Sequence, residues 1–315
     1  MSKAFIFPGQ GCQKEGMGAD LYALFPKAKE LFERANDFLG YKITDVMFHG
    51  TEEELMETQN TQPSVFVYET ILAMCQDDVK PDVVAGHSLG EFAALVVAGV
   101  LSYEDGLNLV LNRAIIGQKA CEKYPTGMGA VIGLSDEYVA QRIKEIWDET
   151  GEPIYFANYN GPGQVVISGS MKGVLKACRA FKKEGAKKAV PLAIGGSFHT
   201  PYMDEAREEL GEIIKKTSFC TPNIPIYQCV DALPHTNPNE IKENLIQHIT
   251  HPVLWTDMTR NMVKDGVTEF YEVGTDDTLE KIVRRMAPDL HQQSLLDVRT
   301  YAGKVKNYKI IKVES

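Results

Sequence analysis

Pro81-Asp82-Val83-Val84-Ala85-Gly86-His87-Ser88-Leu89-Gly90-Glu91-Phe92-Ala93-Ala94-Leu95-Val96-Val97-Ala98-Gly99 reads as a buried strand that turns sharply into a buried helix. The apolar run after Pro81 has strand length, and the run after Glu91 is rich in small residues and stops at Gly99. Ser88 therefore sits on a strand-to-helix elbow. Such a turn crowds the backbone against the residues two places to either side, and both of these, Gly86 and Gly90, lack a Cβ. An elbow of this kind holds the serine Oγ above the sheet and points helix N-terminal N–H groups at developing negative charge. Ser88 is thus a candidate nucleophile. The alternative is a glycine-rich connection with a solvent-facing serine.

Working outward, Ala4-Phe5-Ile6-Phe7 forms a second short apolar strand that breaks at Pro8-Gly9-Gln10-Gly11-Cys12-Gln13. After Thr126-Gly127 the periodicity predicts strand 128–134, helix 136–147, strands 154–157 and 165–168, helix 173–183 and strand 189–194. That β-α-β-β-α-β order is ferredoxin-like, with Ser135 as N-cap of its first helix and Gly185 as the stop of its second. Apolar strands alternate with amphipathic helices on both sides of this unit, as in an open parallel sheet covered on both faces. The expected class is α/β: a hydrolase-like core with a parallel sheet over residues 1–124 and 196–315, and an inserted ferredoxin-like subdomain over 125–195. A nucleophile from the core would face the insert across a cleft, where small-molecule sites tend to lie.

Composition narrows the function classes. With 315 residues, 44% of them hydrophobic, the chain can bury a large core. A net charge of −10 argues against a nucleic-acid binder, which needs concentrated Lys and Arg to neutralise phosphates. Lys182, Lys183, Lys187 and Lys188 form a local basic cluster, readable as a solvated helix end or as a docking point for an acidic partner. The six cysteines show no C-x-x-C pairing and no secretory segment follows Lys3, so reduced thiols and a cytoplasmic protein are expected. The longest uncharged apolar run, Phe92 to Leu101, is about half of what spans a bilayer. No dinucleotide or phosphate loop is found, since position 14 is lysine where a third glycine would stand. His248 and His251 have a spacing that could ligate zinc, but no third ligand lies nearby in sequence, so neither metal nor cofactor is expected.

Together with the elbow, the Pro8–Gln13 loop, Thr61-Gln62-Pro63, Asn160-x-Pro162-Gly163-Gln164-Val165-Val166-Ile167-Ser168-Gly169, Gly195-Gly196-Ser197-Phe198-His199-Thr200-Pro201 and Pro252-Val253-Leu254-Trp255-Thr256 occur in one order along nearly the whole chain. In this the chain resembles the malonyl-CoA:acyl carrier protein transacylases of fatty acid synthesis and the related acyltransferase domains of polyketide synthases. The resemblance implies malonyl transfer from malonyl-CoA to acyl carrier protein, with Ser88 as nucleophile and His199 as base. It implies an oxyanion hole from the N–H groups of Gln10 and Leu89, and Arg113 as the cation that binds the malonyl carboxylate. Gln62 and Phe198 would line the pocket, Phe198 crowding any 2-methyl branch, although Gln62 could equally serve a turn before Pro63. A monomer acting on malonyl-CoA and carrier protein, away from membrane and nucleic acid, is expected.

The chain departs from the family pattern at two places. His248 stands where most members carry glutamine, whose backbone carbonyl orients the catalytic histidine; a carbonyl survives the substitution, so His199 should remain oriented. Glu272-Val273-Gly274-Thr275-Asp276-Asp277 replaces a usual Gly-Pro-Gly. His87 reads as a packed histidine and Glu91 as a first-turn acid favoured by the helix dipole. A Ser-His-Asp arrangement stays open, because acids lie between Ser88 and His199. The alternatives to malonyl transfer for fatty acid synthesis are a discrete acyltransferase of a polyketide or polyunsaturated lipid synthase, a thioesterase or esterase using the same pair, and a silent carrier-binding relative.

Overall fold

The computed structural model describes residues 2–294. In the N-terminal half, β1 (Ser2–Phe7) leads to α1 (Ala19–Leu24), α2 (Pro26–Leu39), α3 (Ile43–His49), α4 (Glu52–Met56) and α5 (Thr58–Met74). Then come β2 (Val83–Gly86), α6 (Gly90–Val97) and α7 (Tyr103–Lys123). The middle contains β3 (Thr126–Ile132), α8 (Asp136–Thr150), β4 (Ile154–Gly161), β5 (Gln164–Ser170), α9 (Met171–Lys183) and β6 (Lys188–Gly195). The chain continues through a 3-10 turn (Pro201–Met203), α10 (Asp204–Lys216), β7 (Ile226–Tyr227), β8 (Pro234–His235) and α11 (Pro238–Gln247). It closes with α12 (Trp255–Lys264), β9 (Val267–Glu272), α13 (Thr278–Met286) and β10 (His291–Ser294).

Two sheets result. The larger has the order β10-β9-β1-β2-β7-β8, parallel except for the last pair. Alternation along β1 sends Phe5 and Phe7 into one apolar cluster and Ala4 and Ile6 into another, so both faces of this sheet are covered, as expected of a parallel sheet. The smaller sheet, β4-β5-β3-β6, is antiparallel throughout and packs against α8 and α9 through its own cluster around Ile146, Ile167 and Phe181. Its elements match the sequence reading in type and order, with ends shifted by up to four residues. Ser135 caps α8 by accepting the Tyr138 N–H at 3.2 Å, and Gly185, at φ 98°, follows the end of α9.

One local reading is corrected. Thr61-Gln62-Pro63 is not a turn: Pro63 lies inside α5, and every residue from Thr61 to Ala73 is buried. Tertiary burial of that whole stretch outweighs the helix hydrogen bond that proline removes. All six cysteines are free, and among the described residues no helix is long and apolar enough to cross a membrane.

Candidate active site

Parallel pairing of β1 with β2 places Phe7 directly beside Gly86, so the loops that follow, Pro8–Gln10 and His87–Leu89, leave the sheet together. His87 N–H donates to the Phe7 carbonyl at 2.8 Å. Helix α6 then begins against the end of β1: a Cβ at Gly90 would stand 2.2 Å from the Phe7 carbonyl oxygen, and one at Gly86 would stand 2.1 Å from the Glu91 nitrogen. The sequence reading of a crowded elbow needing glycine two residues to either side of Ser88 is met by these approaches. Ser88 itself is held at φ 54°, and His199 at φ 61°. Non-glycine residues in the left-handed region carry roughly 1–2 kcal/mol of strain, so the surrounding fold must enforce both conformations.

The two residues meet although 111 positions separate them: Ser88 Oγ and His199 Nε2 are 2.7 Å apart. On the far side of the ring, Nδ1 faces the carbonyls of His248 and His251 at 3.1 and 2.9 Å. Carbonyls only accept, so Nδ1 carries the proton and Nε2 is left free to accept from the serine. His199 is buried, and this burial, reinforced by the Arg113 charge, pushes its pKa down to about 3. The imidazole is neutral at physiological pH. No carboxylate among the described residues touches it, so the open possibility of a Ser-His-Asp arrangement closes in favour of a serine-histidine pair steadied by backbone.

Arg113, on α7, reaches the same point. Its Nη1 donates to Gln62 Oε1 at 2.7 Å and its Nη2 to Ser88 Oγ at 3.1 Å. The guanidinium lies over the rings of Phe198 and Phe92, 5.4 and 5.9 Å from their centroids. Burial lowers its pKa to about 10, which still leaves it charged, and among the described residues no carboxylate pairs with it. Gln62 thus acts by holding Arg113 rather than by lining the cavity, and Phe198 does both.

A cavity of about 300 Å³ opens over Ser88. The larger sheet's side supplies Gln10, Ser88 and His199, while all four strands of the smaller sheet contribute, through Met128, Asn160, Val166 and Leu192 among others. The N–H groups of Gln10 and Leu89 have no acceptor among the described residues. His87 packs edge-on to Trp255 and bonds to Asn160 Oδ1 at 2.7 Å, which fixes the wall between the two sheets. Two roles escaped the sequence. Glu91 lies in the first turn of α6, as expected, but it is also fully buried, and its carboxylate accepts from Cys229 N–H at 2.8 Å and Gln228 Nε2 at 3.0 Å. The loop after β9 brings Asp276 to the cavity rim, something its unusual composition alone did not reveal.

The chain as a whole has known relatives. The acyl transferase domain family model matches residues 4–308. The chain belongs to that family. It is 37% identical to the malonyl CoA-acyl carrier protein transacylase of Haemophilus influenzae, covering 95% of this chain and 96% of the relative. The solved malonyl CoA-acyl carrier protein transacylase of Coxiella burnetii superposes with a TM-score of 0.92 at 34% identity, covering 97% of each chain. A malonyl-transacylase solved in complex with a type II polyketide acyl carrier protein gives 0.92 at 32% identity, covering 98% of this chain and 100% of that one.

The Cβ overlaps at the elbow make Gly86→Ala costly. We expect a loss of at least about 2 kcal/mol in urea unfolding, since neither backbone neighbour can move away from the inserted carbon; an unchanged midpoint would show that the elbow relaxes freely.

Proposed function

We propose that this acyl transferase carries the malonyl group from malonyl-CoA to the phosphopantetheine thiol of an acyl carrier protein, through a malonyl-Ser88 intermediate, as the loading step of fatty acid synthesis. The observation that carries the reading is Arg113: a buried, charged guanidinium with no acid hydrogen-bonded to it among the described residues, 3.1 Å from the Ser88 oxygen. Burying a cation beside a reacting centre is expensive unless the substrate brings the anion. The distal carboxylate of a malonyl group on Ser88 Oγ lies a few bonds from that oxygen, within reach of the fork. The Haemophilus and Coxiella relatives, both malonyl CoA-acyl carrier protein transacylases, support the same substrate pair.

The steps follow from the geometry. His199 Nε2 takes the Ser88 proton as Oγ attacks the thioester carbonyl, and the N–H groups of Leu89 and Gln10 receive the oxyanion, each such donor being worth about 3–4 kcal/mol in the transition state. Collapse expels the CoA thiolate, which leaves with the proton from His199. The carrier's thiol then repeats the sequence in reverse, giving its proton to His199 and attacking the malonyl ester. For the fold, the smaller sheet's order and its two helices support a ferredoxin-like insert over 125–195 in a hydrolase-like core built from 1–124 and the residues from 196 onward. The carrier, an acidic protein in this reading, would dock on Lys182, Lys183, Lys187 and Lys188, all of which are exposed.

Incubation with malonyl-CoA alone should add one malonyl group to the intact mass, Ser88→Ala should abolish it, and the adduct should persist until carrier protein is supplied. Prompt release of free malonate would make the chain a hydrolase, and an adduct surviving in Ser88→Ala would move the nucleophile elsewhere.

Arg113→Ala should lower kcat/KM for malonyl loading by about 2–4 kcal/mol, as expected for a desolvated carboxylate left without its bidentate partner. Acetyl loading should fall far less. Equal losses for the two acyl groups would reduce Arg113 to a structural residue.

Charge reversal of the four lysines to Glu should raise the carrier KM and leave malonyl loading from CoA intact, with wild-type transfer weakening as salt rises. A carrier KM that stays put would shift docking to another surface.

A further inference from the structure

Beneath the elbow, the fold gathers a donor set that residue spacing along the chain concealed. One ligand atom each from Glu91, Cys229 and His248, all buried, lie within 4.8 Å of one another. His248 Nε2 is 3.9 Å from Glu91 Oε2, its side chain is 1% exposed, and it has no hydrogen-bond partner. Glu91 Oε1 accepts from Gln228 Nε2 and Oε2 from Cys229 N–H, and a carboxylate oxygen can engage more than one partner. Cys229 Sγ donates to the Gly86 carbonyl at 3.0 Å. The expectation that His248 lacks further ligands is therefore revised: its companions come from α6 and from the segment after β7, and His251 is not among them.

We propose that Glu91, Cys229 and His248 form a binding site for one divalent ion of the zinc class. Sulfur, nitrogen and oxygen donors together suit zinc or cobalt(II), whereas magnesium and calcium demand six or more oxygens. Thiolate and carboxylate cancel the two charges of the ion, so the occupied site is neutral, as a buried location requires. Bonds of about 2.0–2.3 Å in a tetrahedron place donor atoms roughly 3.3–3.8 Å apart, so closing the present set takes side-chain shifts of about 1 Å. Capture displaces the thiol proton, which burial and the neighbouring Glu91 hold tightly; affinity therefore rises with pH. The imidazole that completes the set belongs to the residue standing in place of the usual glutamine. His248 also lends its carbonyl to His199 Nδ1, so an ion drawing this side chain toward Glu91 disturbs the base, and occupancy should slow acylation of Ser88.

The test reads metal binding directly and does not depend on which acyl group the enzyme carries. Cobalt(II) titrated into the full-length wild-type protein should produce thiolate-to-metal charge-transfer and tetrahedral d–d bands at one equivalent, with slow onset because the site is closed. Cys229→Ser should remove the charge-transfer band and His248→Gln should weaken binding at least tenfold, while Ser88→Ala and Cys12→Ser leave the bands in place. Absence of a thiolate band in folded wild-type protein, or its survival in Cys229→Ser, overturns the site. Should either ligand variant lose its native circular dichroism, zinc-edge X-ray absorption of the wild-type protein decides instead: one sulfur at about 2.3 Å with nitrogen and oxygen at about 2.0–2.2 Å supports the site, and a shell without sulfur refutes it.

Discussion

The parallel pairing that sets Phe7 beside Gly86 is the constraint on which the rest depends. Because neither Gly86 nor Gly90 carries a side chain, α6 can start hard against the end of β1, and Gln10 and Ser88 line one cavity. His199 arrives by a different route. The chain leaves the core after α7, builds the smaller sheet, and returns when Gly195 pairs with Gly127, four residues before His199. Departure and return thus lie side by side. An insertion closed in this way costs little loop entropy and still fixes the histidine, because its exit point is locked by antiparallel register.

In the proposed reaction the electrostatics of the site are arranged around an incoming anion. A carboxylate behind His199 would strengthen the base, but it would also offset the field of Arg113, which supplies the only full positive charge touching Ser88 among the described residues. Two backbone carbonyls do the orienting instead. They select the tautomer and stabilise the imidazolium by dipoles, leaving the cation free to act on substrate. The depressed basicity of His199 follows from that choice, since burial and Arg113 both resist protonation. Substrate binding eases the second of these, because a carboxylate on the guanidinium screens its charge.

What could be read from the sequence was what local chemistry decides. The elbow, its flanking strand and helix, and the β-α-β-β-α-β unit were legible because period, capping residues and glycine placement act over a few residues, and Ser135 and Gly185 sit where those rules put them. Pro63 misled for the same reason: its local preference is overridden by the burial of thirteen consecutive residues of α5, a fact of tertiary packing. The partnership of Gln62 with Arg113 spans 51 positions, and that of Glu91 with Cys229 spans 138. No spacing rule reaches so far. Chemistry-bearing residues whose role is to hold one another become visible only once the sheets bring them together.

Some of the buried polar atoms left unsatisfied lie at the site. Gln62 Nε2, Arg113 Nε and His248 Nε2 are among the orphaned atoms of the described residues, and each belongs to a side chain that touches Ser88, His199 or a partner of theirs. Orphaned donors of this kind cost about 1–3 kcal/mol apiece, more where charge is involved, and a core selected for stability alone would exclude them. The presence of these three beside two backbone-strained residues is consistent with local stability given up for chemistry. Arg113 lines the cavity over Ser88, where in the proposed reaction a carboxylate delivered by the substrate would pair with it. On the proposed function, the same cavity that leaves the free protein locally under-satisfied would favour acyl groups that carry a negative charge at their far end.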